Sequence, residues 1–197
     1  MSSRLFKISV FIVSLMPAVA LVYGLLNDQL GANPIETLTR DTGEWALRFL
    51  LITLAVSPLR LLFSWHFLAA IRRMLGLYSF FYASVHMLLY VWLDQFFNLS
   101  DIINDIIERP FITVGVINFL ALIPLALTSS DAMVKRLGTE RWNRLHSLVY
   151  YIGIGGVIHF FMLVKKDITE PVIYIAILAV LLGIRLYRYS RRTLIAT

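Results

Sequence analysis

Six predominantly apolar stretches joined by short connections constrain this chain more than any other feature. They run over about 8–26, 45–63, 74–93, 111–128, 143–164 and 171–187. Most are close to the roughly 20 residues that carry a helix across a bilayer core. In lipid no water is present to pair open backbone groups, so each crossing must be helical. Composition agrees: 59% of residues are apolar and 15% charged, where soluble domains average roughly 45–50% and about 25%. The mean hydropathy is +0.77. The expectation is an all-α membrane protein, a six-transmembrane helix bundle forming one domain over residues 1–197, with no internal repeat or low-complexity segment.

The first stretch raises a question of its own. Arg4 and Lys7 precede an apolar run containing Ala18-Val19-Ala20, the layout of a signal peptide with a small-residue cleavage site. The run continues through Leu21, Val22, Tyr23, Leu25 and Leu26, which favours an uncleaved first span.

Charge placement orients the bundle. One side carries Arg4, Lys7, Arg60, Arg72, Arg73, Lys135, Arg136, Arg141, Arg144, Arg185, Arg188, Arg191 and Arg192, opposed by Asp131 and Glu140. The other carries Arg40, Arg48, Arg109, Lys165 and Lys166 beside most of the carboxylates. The positive-inside rule then puts both termini in the cytoplasm. It also explains the net charge of +6 without invoking nucleic acid. The outer connections hold Asp28, Glu36, Asp41 and Glu44, then Asp94, Asp101, Asp105 and Glu108, an acidic rim on which a partner could dock.

The chain has no cysteine. That removes disulfides, thiolate nucleophiles, cysteine-ligated iron–sulfur clusters and covalent haem attachment, leaving His, Met and carboxylates as metal ligands.

Histidines carry the functional signal. Of His66, His86, His146 and His159, His66 lies in a short connection beside Trp65 and reads as interfacial. The other three lie in spans, where ionisable residues are rare and face a bundle interior or a functional cavity. A neutral histidine making an interhelical hydrogen bond is the plainer alternative. Depth favours ligation: His86 precedes Asp94 by eight residues and His159 precedes Lys165 by six, so both rings lie roughly 9–12 Å below the outer edge. Two imidazoles at one depth on separate helices can occupy both axial faces of a haem iron. His146 lies roughly 20 Å further in and about 140° around the helix from His159, so either the two rings serve different sites or Gly153, Gly155 and Gly156 allow local distortion between them. Thirteen or fourteen residues before His86 come Arg73 and Arg72, which cannot ligate iron but pair bidentately with haem propionates or a flavin phosphate. Gly153, Gly155 and Gly156 permit close approach of either a macrocycle or another helix.

The ordered set IRRMLGLYSFFYASVH, ERPFITVG, LALTSSDAMVKRLG, RWNRLHSLVYY and IHF resembles the MsrQ family. These are haem-binding membrane subunits of the bacterial MsrPQ methionine sulfoxide reductase system, formerly called YedZ, within the ferric reductase-like transmembrane domains related to NADPH oxidases. The resemblance runs from the first span to the last. It implies a multi-pass protein of the bacterial inner membrane, a b-type cytochrome with one or two haem b groups, and FMN. Electrons would come from a cytosolic flavin reductase or from quinol and pass to the periplasmic molybdopterin subunit MsrP, which reduces methionine sulfoxide in oxidised proteins. The chain would then be an electron-transfer subunit rather than the catalytic one. The family's histidines correspond to His86, His146 and His159, which the resemblance makes axial ligands. Oxidase relatives carry two histidines on each of two helices, whereas the third span here has only His86. Two other classes are weaker. A proton-coupled transporter or scaffold using the histidines as a relay would be expected to show an intramembrane acid or paired helix breaks. A serine hydrolase would need a G-x-S-x-G elbow, which is absent.

Overall fold

The computed structural model describes residues 3–164 and 166–196, without the side chains of residues 3, 189 and 192–196. Lys165 and the Arg192 side chain, both used in the charge reading, lie outside the described residues. Among those described there is no strand, and six helical spans are long and apolar enough to cross a membrane: Arg4–Leu26, Pro34–Phe63, Arg72–Asp94, Pro110–Leu127, Thr139–Leu163 and Thr169–Arg188.

The elements are α1 (Ser3–Leu26), α2 (Pro34–Phe63), a short 3-10 turn (His66–Ala70), α3 (Arg72–Leu89), a π-helical turn (Tyr90–Asp94) and α4 (Leu99–Glu108). They are followed by α5 (Pro110–Leu127), α6 (Asp131–Leu137), α7 (Thr139–His146), α8 (Leu148–Leu163) and α9 (Thr169–Ala196).

Three features depart from a simple reading of apolar runs. The second helix begins eleven residues before its apolar run, because Asn33 caps it and Pro34 fills the first turn. The Asn33 side chain accepts from the Glu36 amide and donates to its carboxylate, a reciprocal cap worth about 1 kcal/mol. The fifth span breaks at Ser147, whose hydroxyl turns back to the Arg144 carbonyl at 2.6 Å and competes with the helical ladder. The connection expected as an acidic loop contains α4, with a one-sided apolar face.

α2 is the central helix. Leu47, Leu51 and Leu54 pack toward α8 and α9. Phe49 and Val56 pack toward α1 and α3. Leu50 packs toward α5 and α8. A helix apolar all round is one with neighbours all round. Its tightest partner is α3, held by a stack in which Phe49 lies 5.4 Å from Tyr82 at 9° and 5.5 Å from Tyr78 at 27°. Such pairs add about 0.5–1.5 kcal/mol beyond burial. The other close pair is α5 with α8, antiparallel, and α9 closes the side formed by α2 and α8. α3 and α8 therefore belong to two different helix pairs, and the histidines of interest lie one on each.

Candidate functional site

His86 on α3 and His159 on α8 meet across the bundle: their ring centroids are 6.3 Å apart and the rings stand at 81°. Each ring is held from behind by a backbone carbonyl. His86 Nδ1 lies 2.7 Å from the Thr39 oxygen on α2, and His159 Nδ1 lies 2.6 Å from the Phe111 oxygen on α5. A carbonyl oxygen only accepts, so each Nδ1 carries the proton and each Nε2 keeps its lone pair. This is the orienting bond that metal-bound histidines use.

Two glycines make room for the rings. A β-carbon on Gly43 would lie 3.0 Å from His86 Cε1 and Nδ1, and one on Gly115 would lie 2.8 Å from His159 Cε1. Neither glycine, nor the Thr39 and Phe111 carbonyls, stood out in the sequence. A small residue in a span is visible there, but the ring it accommodates is not. Gly153, Gly155 and Gly156 turn out to serve helix packing. Their absent side chains leave space for Leu54 and Leu178, for Asn118, and for Leu47 respectively.

Two imidazoles are too few for a metal centre built by protein alone, and among the described residues no group of three or more His, Asp or Glu side chains converges. They suffice for a porphyrin metal, where the macrocycle supplies the four equatorial nitrogens. The spacing fits. Metal–imidazole bonds of about 2 Å on opposite sides of one ion place the ring centroids roughly 6 Å apart.

His146 is not part of this pair. Its ring stacks on Trp142 at 3.8 Å and 21°, and its Nε2 lies 2.9 Å from the Thr128 hydroxyl. That hydroxyl donates its hydrogen to the Pro124 carbonyl at 2.6 Å, so it accepts from His146 Nε2–H. The tautomer is opposite to that of His86 and His159, and the nitrogen left with a lone pair is Nδ1. Trp142 completes the cluster by donating to the Thr128 carbonyl at 2.9 Å, while the Arg73 guanidinium lies 5.5 Å over its ring.

His146 lines a cavity of about 320 Å³ together with Arg72, Arg73, Arg185, Trp142 and Tyr150. Here the two predicted arginines do come together with His146. Arg73 is bonded to Asp131 at the start of α6 and holds that exposed carboxyl below the usual carboxylate range. Arg72, partly buried, has no ion-pair partner among the described residues. Arg185, not singled out in the sequence, reaches the Leu54 carbonyl at 2.6 Å and bonds the Tyr150 hydroxyl. His66 lies exposed in the 3-10 turn, away from both sites.

The acidic rim is smaller than the sequence implies. Glu44 is buried, with Arg40 at 3.1 Å and Arg48 at 2.6 Å, and Arg48 also donates to the Tyr174 hydroxyl at 2.8 Å. Asp105 is taken up by Arg109, Gln95 and Tyr90. Asp28, Glu36, Asp94, Asp101 and Glu108 remain exposed.

The family model described as "Ferric reductase like transmembrane component" matches residues 42–157. The chain is similar to a protein of Azospira oryzae named "Protein-methionine-sulfoxide reductase heme-binding subunit MsrQ", with 52% identity over 94% of this chain and 80% of that one. Proteins of the same name from Herminiimonas arsenicoxydans and Rhodospirillum rubrum are each 49% identical, over 93% and 96% of this chain and 85% and 91% of theirs. No solved structure gives a significant match.

Proposed function

The chain belongs to the MsrQ branch of the ferric reductase-like transmembrane family, and from that premise we propose that it is a haem-binding electron-transfer subunit of a periplasmic methionine sulfoxide reductase system. The single observation that carries the reading is the His86–His159 pair, with both Nε2 lone pairs free and the rings 6.3 Å apart.

Haem b, when bound, supplies a one-electron iron couple inside the membrane. The protein's part is positional. His86 and His159 would hold the haem iron through their Nε2 atoms, and the Thr39 and Phe111 carbonyls fix the ring orientation and tautomer. With both imidazoles engaged, the bound iron would be suited to electron relay rather than to oxygen chemistry. Helices α2, α3, α5 and α8 surround the pair and leave each histidine partly buried.

A second cofactor belongs to the cavity at the opposite end of the spans. Arg72 and Arg73 offer guanidinium forks for the phosphate of FMN or the propionates of a second haem b. His146 either contacts that cofactor or ligates it through Nδ1. With the termini in the cytoplasm, electrons from a cytosolic flavin reductase or from quinol reach this cavity first. They leave near the His86–His159 end for the molybdopterin subunit MsrP, which docks on the remaining acidic rim.

The test is haem content. His86→Ala and His159→Ala, purified in detergent, should each lose the bound haem and its reducible absorption spectrum, while Arg72→Ala should keep haem and lose flavin. Full haem and an unchanged spectrum in both histidine variants would overturn the assignment.

A further inference from the structure

Between the third and fourth spans lie fifteen residues, 95–109, and they contain α4. Its sequence LSDIINDIIE has an apolar and a polar side. Ile102 and Ile106 turn partly inward, and the Ile106 carbonyl accepts from the Thr113 hydroxyl at the start of α5. Leu99, Ile103 and Ile107 are 68%, 48% and 74% exposed. Just before the helix Phe96 and Phe97 are 79% and 61% exposed. Ser100, Asp101, Asn104 and Glu108 lie exposed on the opposite side.

This is more apolar surface than a water-facing connection keeps uncovered. The backbone reinforces the point. Phe96 and Phe97 are successive non-glycine residues in the left-handed region, at φ 47° and 58°. The turn they make closes with Phe97 N–H on the Val91 carbonyl at 2.9 Å and Gln95 N–H on the Tyr90 carbonyl at 3.0 Å. Such conformations persist where surrounding contacts over-determine them. Among the described residues little covers these two side chains.

What covers them follows from connectivity. α4 starts five residues after one span ends at Asp94 and stops two residues before the next begins at Pro110. Trp92, 53% exposed, lies at the end of the third span, where aromatic side chains face the membrane interface. We propose that α4 is an interfacial helix, its Phe96, Phe97, Leu99, Ile103 and Ile107 side chains set among the acyl chains and its Asp101, Asn104 and Glu108 edge in water. The inference holds whichever way the chain faces and does not depend on haem.

The charges define the kind of lipid surface. Asp94, Asp101, Asp105 and Glu108 outnumber Arg109 in this segment, which contains no lysine. Most interfacial helices add attraction to anionic headgroups, whereas this one holds by apolar burial alone and binds zwitterionic lipid equally well. α4 thereby fixes the height of an acidic edge at the end of the bundle where the His86–His159 pair lies.

The cysteine-free chain makes the test direct. Single variants Leu99→Cys, Ile103→Cys and Ile107→Cys are compared with Asp101→Cys, Asn104→Cys and Glu108→Cys, all at positions the rest of the bundle leaves exposed, so no core contact is lost. Each is placed as the full chain in phosphatidylcholine nanodiscs, one chain per disc, and reacted with a charged, water-soluble maleimide. The first set should react more slowly by about tenfold or more. Adding phosphatidylglycerol should leave the ratio unchanged. Nitroxides on the same cysteines should show the first set accessible to oxygen and shielded from a nickel chelate. Equal rates and equal nickel accessibility in the two sets would overturn the proposal. So would protection appearing only with two or more chains per disc, which would make the cover a second copy, or only with anionic lipid.

Discussion

Replacing Gly115 with alanine tests the site without touching a ligand. The added β-carbon would lie 2.8 Å from His159 Cε1 and 3.1 Å from Nδ1, where ordinary contact begins at 3.4 Å. The ring must therefore retreat by about 0.6 Å. It cannot do so freely, because its Nδ1 donates to the Phe111 carbonyl at 2.6 Å, one turn earlier on the same helix as Gly115. Backing away from α5 stretches that bond toward the ~3.2 Å limit of a good hydrogen bond. The displacement exceeds the about 0.5 Å that a functional constellation tolerates. Overpacking of this size costs about 1–3 kcal/mol, which corresponds to roughly 5- to 150-fold weaker haem binding.

Gly156→Ala is the control. It lies on α8, the helix that carries His159, and its β-carbon meets only the flexible end of Leu47 at 3.4 Å. Both variants gain about 1 kcal/mol in helix propensity, which offsets part of the overpacking in Gly115→Ala, so thermal stability of the apoprotein should change by no more than about 2 kcal/mol while haem affinity falls in Gly115→Ala alone. Haem per chain, the absorption spectrum and a haemin titration of the apoprotein measure this. Unchanged affinity in Gly115→Ala, or an equal loss in Gly156→Ala, would refute the argument that the ring needs this vacancy.

Two further outcomes follow from contacts away from the pair. Tyr82, fully buried, inserts its hydroxyl into the α1 ladder beside Pro17, donating to the Ser14 carbonyl at 2.8 Å and accepting from Ala18 N–H at 3.1 Å. Tyr82→Phe removes two hydrogen bonds that tie α3 to α1 and should cost about 0.5–1.5 kcal/mol for each, read as a lower unfolding temperature and faster amide exchange over residues 11–20, with haem content unchanged; exchange equal to the parent protein's would contradict the tether. Asp131 titrates below the ordinary carboxylate value because it accepts a hydrogen bond from Arg73, with the arginine's charge adding to the effect. A lowered folded-state value means that the contribution is present above about pH 4 and is lost as pH falls through the folded value. Between pH 5 and 3 at low salt, the parent protein should therefore lose more thermal stability than Asp131→Asn, by a small and salt-screened margin; parallel pH profiles would show that the bond contributes nothing.

The helical class and the number of crossings could be read directly from the chain, because lipid leaves the backbone one local way to satisfy its hydrogen bonds and span length follows from rise per residue. Helix ends were less legible. α2 starts at Pro34 because Asn33 and Glu36 cap it, and the fifth span bends at Ser147 because a hydroxyl competes for a carbonyl. Both are choices of single polar residues that hydropathy does not register. α4 escaped notice for a related reason: ten residues of mixed polarity read as a loop until their angular placement is known.

At the candidate site, the residue types and the depths of His86 and His159 are sequence properties, since position along a straight span converts to height. Rotation is not. Which carbonyl each ring faces, that Gly43 and Gly115 stand behind the rings while Gly153, Gly155 and Gly156 do not, and that Glu44 is buried between Arg40 and Arg48 all depend on how α2, α3, α5 and α8 turn against one another. That rotation is set by packing contacts between residues far apart in the chain, such as Phe49 with Tyr82 and Gly155 with Asn118. A one-dimensional pattern states how deep a side chain lies in the membrane, and only the packed bundle decides what it meets there.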